Sequence, residues 1–211
     1  MHTEAVAHLK KSDKTLARLI ERVGPMTLTP NPKQNPYAAL VESVVYQQLT
    51  GKAAATIFGR VKALYPKSKF PKPEDILKTS DADLRAAGLS GAKTLAIKDI
   101  AQKTLDGIVP TGRVIQKWNN EKIIAHLTSI RGVGQWTVEM FLIFTLGRPD
   151  VLPSGDYGVR KGFALTYKKQ ELPTPKELLA YGEKWKPFRT AAAWYLWRSL
   201  DLEVKTKKGR A

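Results

Sequence analysis

The chain has 211 residues, 35 Lys+Arg against 19 Asp+Glu, a formal net charge of +16 and no Cys. Zero Cys excludes disulfides, Cys-ligated zinc, iron–sulfur clusters and thiol catalysis, and three His leave little for a His-based metal site. At 43% hydrophobic residues the composition is that of a globular protein with a sizeable core. No stretch reaches the roughly 18 apolar residues of a membrane span, and Met1–Lys10 holds no apolar run of signal-peptide length. A soluble, intracellular protein with no membrane partner is expected, in the cytoplasm or nucleoid of a prokaryote or the nucleus of a eukaryote. Only four basic residues (Lys205, Lys207, Lys208 and Arg210) lie in the C-terminal tail, 203–211, so the positive excess belongs to the folded body. A body this basic favours a polyanion, most often nucleic acid. The alternative at this level is a charged surface that serves solubility or thermal stability.

The elements read as helices from end to end. Leu16, Leu19, Ile20 and Val23 share one face, with Ser12 or Asp13 as cap and Gly24-Pro25 as stop. Pro30, Pro32 and Pro36 mark a loop, and Pro36 suits the first turn of a helix running to about Gln48. A helix over about 52–64 ends before Pro66. Further helices are expected near 74–78, 81–87 and 92–106, broken by Gly88, Gly91 and Gly107. Beyond Pro110 they fall near 113–118, 120–128, 135–146, 156–167, 175–185 and 188–200. Strand alternation and internal repeats are absent. The fold class is all-α, with the two ends of the chain able to pack together around a central bundle.

Three segments carry chemistry. In Leu127–Val138 a helix ends, Gly132-Val133-Gly134 turns the chain, and a second helix begins at once. The first amides of that helix lack internal partners and suit a phosphate, read without regard to base sequence. An ordinary tight helix–turn–helix corner fits the same residues. In Val151–Lys161, Asp156 stands at a helix start after Pro153 and Gly155. It is a helix cap, and a capping carboxylate is also rigidly held. Finally, Trp118, Trp136, Trp185, Trp194 and Trp197 are mostly core candidates, but Trp136 follows the Gly turn by two residues, beside the corner that would face DNA. Trp and Tyr rings stack extruded bases and attract cationic ones.

These segments together resemble the DNA-3-methyladenine glycosylase II family of the helix-hairpin-helix superfamily. The resemblance lies in Ile130-Arg131-Gly132-Val133-Gly134-Gln135-Trp136-Thr137, in Leu152–Tyr157 with Asp156 about twenty residues past the hairpin, and in Tyr181–Arg189 and Trp194–Trp197. It extends to Tyr46–Ala54 and Gly88–Lys93, and covers about residues 37–200. An additional N-terminal β domain, present in some members, is not expected. The resemblance implies a single helix-hairpin-helix glycosylase unit over 1–211, with N-terminal helices and two helical lobes, roughly 37–110 and 111–200, around a cleft.

It also implies roles. Asp156 would be catalytic, stabilising a sugar cation and orienting or deprotonating water. Trp136, Tyr157 and Trp197 would line the base pocket. Gln48 and Leu49 would be the wedge that fills the gap left in the duplex, unless that segment is an ordinary interhelical turn. Thr50, Lys52, Gly132, Gly134, Gln135 and Thr137 would contact the DNA backbone. No cofactor is required, although a hydrated Na⁺ or K⁺ on the carbonyls of Thr128, Ile130 and Val133 follows by analogy. Members that cut the strand carry Lys two residues after the second hairpin Gly. Trp136 holds that place here, which implies a monofunctional enzyme that uses water to remove alkylated, cationic purines such as 3-methyladenine and 7-methylguanine, initiating base excision repair. The partner would be double-stranded DNA and the protein a monomer. The rivals are a non-catalytic helix-hairpin-helix DNA-binding protein and a glycosylase for another lesion class.

Overall fold

The computed structural model describes the backbone of residues 2–208 and the side chains of residues 2–203. The side chains of the basic tail, Lys205, Lys207, Lys208 and Arg210 among them, lie outside the described residues. Helices and turns make up the described chain, with no strand. The expected all-α class is what forms.

The helices are α1 (His2–Ser12), α2 (Lys14–Val23), α3 (Pro36–Tyr46), α4 (Gly51–Ala63), α5 (Pro73–Lys78), α6 (Asp81–Ala86) and α7 (Gly91–Leu105). After α8 (Gly112–Ile115) come α9 (Asn120–Leu127) and α10 (Gln135–Met140), which continues into a π-helical turn, Phe141–Thr145. Then follow α11 (Tyr157–Thr166), α12 (Pro175–Gly182), a 3₁₀ turn at Glu183–Trp185 and α13 (Arg189–Lys208). Of the N-terminal helices, only α2 shows a periodic face in the sequence: α1 buries only Ala5 and Leu9, too thin a stripe to stand out.

The chain forms two compact units, one of Met1–Pro30 with Gly147–Ala211 and the other of Asn31–Leu146. The two ends do pack together, but the units divide at 30/31 and 146/147, whereas the expected lobes divided near 110/111. Hydrophobic periodicity marks faces, not which faces share a core, so it gives no boundary of this kind.

The first unit is built on α13, whose Ala191–Leu196 run is wholly buried. Helix α11 crosses it at Gly162, where a Cβ would stand 2.1 Å from the Leu196 carbonyl oxygen, so only glycine permits the approach. Asp13, 4% exposed, caps α2 by accepting from the amides of Thr15 (3.0 Å) and Leu16 (3.1 Å). Its second oxygen accepts from Tyr167 Oη (2.7 Å) and Trp185 Nε1 (3.1 Å) and pairs with Lys184 Nζ at 3.2 Å. Burial raises the pKa of this carboxyl, but those hydrogen bonds and the lysine charge outweigh it and leave the group below its usual value. Asp13 thus ties the start of the chain to the end of α11 and to the 3₁₀ turn.

The second unit is organised around α3, whose Leu40, Val41, Val44 and Val45 are fully buried. Helices α4, α7 and α10 and the π-helical turn pack around it, and α5 packs on α7. Asn35 caps α3 through the Tyr37 amide at 2.9 Å, and Pro36 occupies its first turn as expected.

Candidate active site

In the first unit, the loop that delivers Asp156 is clamped by the start of α13. Arg189 grips Asp150 through two parallel bonds, Nε to Oδ1 at 2.6 Å and Nη2 to Oδ2 at 3.0 Å. The Thr190 hydroxyl donates to the Arg148 carbonyl at 2.7 Å and accepts from the Val151 amide at 3.0 Å. Val151 to Ser154 are buried, and the Asp156 amide donates to the Pro153 carbonyl at 3.0 Å. This bidentate, partly buried clamp fixes the backbone before the catalytic candidate.

Asp156 is the N-cap of α11, as expected. Its Oδ1 accepts from the Val159 amide at 2.7 Å and from the indole Nε1 of Trp197 at 2.8 Å. Two N–H donors from separate helices therefore aim one carboxylate oxygen. Gly158 makes room for this: a Cβ there would lie 3.0 Å from both Asp156 Oδ1 and Trp197 Cδ1. Gly158 was not singled out from the sequence, although its place two residues past the cap was visible. Trp197 is half-buried, and its edge is committed to the carboxylate, so it positions Asp156 as well as offering a ring face. Tyr157 is 63% exposed at the first turn of α11, with Lys161 Nζ 6.0 Å from its ring centre.

In the second unit, the hairpin joins α9 to α10. Gly132 adopts φ +74°, and a Cβ there would lie 2.5 Å from Ala96 Cβ on α7, so both conformation and space demand glycine. The Arg131 amide donates to Asp99 Oδ2 at 2.8 Å, a second tie from the turn to α7. Gly134 differs. It is the N-cap of α10 with φ −86°, and a Cβ there would meet nothing within 4 Å. Nothing inside the protein requires glycine at 134, so its bareness leaves surface open for another molecule's backbone. Gln135 is exposed and its amide nitrogen donates to Glu139 Oε1 at 2.9 Å. Thr137 is 1% exposed and its hydroxyl faces inward, so this residue offers no side chain to a ligand. Trp136 is half-buried in the first turn of α10.

The same unit carries the expected wedge. Helix α3 stops at Tyr46, two residues earlier than expected, and Gln48 sits at φ +56°, a conformation side chains rarely adopt. Gln48 is exposed and Leu49 is 38% exposed at the tip. Thr50 caps α4, accepting from the Ala53 amide at 3.4 Å, and Lys52 is exposed in the first turn of that helix. A strained residue beside an exposed Leu is compatible with a functional tip. Beneath it, Lys93 Nζ donates to the carbonyls of Val45 (2.9 Å) and Gln47 (2.7 Å). Burial holds the Lys93 amine below its usual pKa.

The hairpin also carries the carbonyls named as cation donors. The Ile130 carbonyl already accepts from the Val133 amide at 3.1 Å. Thr128, Ile130 and Val133 supply uncharged oxygens only, and no cluster of three His, Cys, Asp or Glu occurs among the described residues. That donor set fits a weakly held alkali ion better than a divalent metal.

The structure thus brings Asp156, Tyr157 and Trp197 together in one unit and the hairpin, Trp136 and the wedge in the other. A glycine hairpin leading into one helix and a rigidly held carboxylate at the start of another are what the resemblance to the helix-hairpin-helix glycosylases implies. Residues 41–188 match the HhH-GPD superfamily base excision DNA repair protein, and the chain belongs to that family. It is 41% identical over 211 residues to DNA-3-methyladenine glycosylase 1 of Schizosaccharomyces pombe, covering 99% of this chain and 92% of the relative. Among solved structures it is similar to the 3-methyladenine DNA glycosylase of the same yeast in complex with abasic DNA, with a TM-score of 0.87, 40% identity and coverage of 92% of this chain and 95% of that one. It also resembles a DNA-3-methyladenine glycosidase from Bacillus halodurans, with a TM-score of 0.81, 38% identity and coverage of 95% and 91%. No helix among the described residues is long and apolar enough to cross a membrane.

Proposed function

We propose that this protein is a monofunctional DNA glycosylase that extrudes alkylated purines from double-stranded DNA and hydrolyses their N-glycosidic bonds. The observation that carries the proposal is Asp156 Oδ1, fixed by Val159 N–H and Trp197 N–H at the start of α11. A purine methylated at N3 or N7, such as 3-methyladenine or 7-methylguanine, carries positive charge and leaves without needing an acid. The C1′–N9 bond breaks with its electron pair going to the base, and the sugar becomes oxocarbenium-like. Asp156 stabilises that cation and orients the attacking water, whose oxygen bonds to C1′ as its proton passes to the carboxylate. One carboxylate suffices. A protein that only binds DNA has no use for a fixed anion facing phosphates, which separates this reading from that of a passive helix-hairpin-helix binder.

The remaining residues serve the duplex. The amides around Gly132 and Gly134, with Thr50 and Lys52, hold phosphates; a Na⁺ or K⁺ at the hairpin carbonyls would add a positive charge beside them. Leu49 with Gln48 fills the space the base leaves. Rings of Trp136, Tyr157 and Trp197 prefer a cationic base by cation–π attraction. The names of the relatives support this lesion class. The protein acts as an intracellular monomer on genomic DNA and leaves an abasic site for base excision repair. The test is chromatography of bases released from methylated duplex DNA. Release of free 3-methyladenine or 7-methylguanine is expected; release only of an oxidised or mismatched base from suitable duplexes would assign a different lesion class.

A further inference from the structure

One residue in the second unit connects two pieces that the glycosylase reading uses separately, the wedge and the hairpin. Gln47 is the C-cap of α3, at φ −54° and ψ 133°, immediately before the left-handed Gln48. Its side-chain amide nitrogen donates to the Gly132 carbonyl at 3.0 Å and to Thr137 Oγ1 at 2.8 Å, inside the hairpin 85 and 90 residues further along the chain. Its own carbonyl is held by Lys93 Nζ at 2.7 Å, and the same ammonium takes the Val45 carbonyl at 2.9 Å. A cation on the last carbonyls of α3 favours the helix end at that point. The hairpin end of this chain is itself tied to α7 by Arg131–Asp99 and by the contact of Gly132 with Ala96.

The chemistry is specific to a donor. Both N–H bonds of one carboxamide are used on two oxygens, so an isosteric acid or thioether cannot replace it. The Gln47 amide fixes where the tip begins relative to the turn that would grip phosphate. Gln48 holds its left-handed conformation between Gln47, fixed by these bonds, and Leu49, whose amide donates to the Tyr46 carbonyl at 3.4 Å.

We propose that Gln47 is a positioning residue for base extrusion, setting the register between the Gln48-Leu49 wedge and the phosphate-binding hairpin so that docking on the backbone places the wedge. This rests on the reading of Leu49 as the wedge. Gripping undamaged duplex should not need the register; holding a duplex with a gap should.

The experiment compares wild type with Gln47→Met, Thr137→Val, their double variant and Leu49→Ala. The probes are undamaged duplex and a duplex carrying a tetrahydrofuran abasic analogue, with single-turnover release of 7-methylguanine as the second readout. Gln47→Met should keep undamaged-duplex affinity within about threefold, and lose about tenfold in both abasic preference and release rate, the scale of one hydrogen bond. Thr137→Val should move both in the same direction, and the double variant should be no worse than Gln47→Met, because both act on one link. If Leu49→Ala loses abasic preference while folded Gln47→Met keeps it, the inference is overturned and Gln47 is a structural residue only. If Leu49→Ala itself keeps the preference, the wedge reading falls and takes the inference with it. Should Gln47→Met fail to fold, wild-type preference in Thr137→Val would overturn it equally.

Discussion

The indole N–H of Trp197 donates to Oδ1 of Asp156 at 2.8 Å, across 41 residues of sequence and from a different helix. The bond converts a helix cap into an aimed carboxylate. Trp197→Phe keeps an aromatic ring but removes the donor, and a hydrogen bond to a charged group is worth about 1.5–3 kcal/mol. Base release should fall about 10- to 100-fold, with little change in affinity for undamaged duplex. Gly158→Ala should mimic it, because its methyl group intrudes on both partners. Single-turnover release assays check both; wild-type rates would show that the indole contact is idle.

The two hairpin glycines should separate cleanly. Gly132→Ala meets Ala96 at 2.5 Å and strains a φ of +74°, so it should lower the melting temperature. A Cβ at 134 meets nothing within 4 Å, so Gly134→Asp should fold normally while weakening binding to every duplex sequence alike. Wild-type binding should itself fall steeply with salt, as for about 4–6 phosphate contacts. Thermal melts and binding isotherms at several salt concentrations decide this; salt-insensitive binding contradicts the docking mode.

Asp13 should govern stability without touching chemistry. Asp13→Asn removes the charge that faces Lys184 and weakens the bonds from Tyr167 and Trp185. A loss of about 2 kcal/mol corresponds to a melting shift of about 4–8 °C. Because the folded carboxyl lies below its ordinary value of 3.8, its contribution is complete above that pH and is lost as pH falls through the lower folded value. Melts of the two proteins should therefore differ at neutral pH and converge in acid. A difference that grows on acidification would reverse the assignment.

How far the sequence reveals this arrangement depends on how local each feature is. The capped start of α2, the Pro at the head of α3 and Asp156 as a cap are all signalled within four residues, and the structure has them there. The hairpin is equally local. What could not be read are the links over 40 to 170 residues: Trp197 on Asp156, Gln47 on Thr137, Trp185 on Asp13. A Gly such as Gly158 or Gly162 looks like a weak helix residue until the neighbour that requires it is known. Helix α1 gives no periodic signal of its own because its burial is confined to two side chains. At the early stop of α3 at Tyr46, the Val45 and Gln47 carbonyls accept from Lys93, a partner 48 and 46 residues away that no local pattern signals.

No strand cleavage is expected. The lysine of greatest chemical interest is Lys93, whose amine is drawn below its usual pKa by burial, but its Nζ is occupied by the Val45 and Gln47 carbonyls. Lys161 lies over the Tyr157 ring, more than a turn past Asp156. Product strands should stay intact until alkali or an endonuclease is added, and borohydride should trap no adduct. A trapped adduct that vanishes with one lysine substitution would make the enzyme bifunctional.

On the proposed mechanism, Asp156 stabilises the sugar cation. The most direct measurement is single-turnover release of 7-methylguanine from methylated duplex by Asp156→Asn, alongside its affinity for the same DNA. Asparagine can still accept the Val159 and Trp197 bonds, so the fold and the cap should persist. Base release should drop to background while affinity stays equal or rises, since one negative charge near phosphates is gone. Release within tenfold of wild type, from a folded variant that binds normally, would contradict the account and place the catalytic group elsewhere.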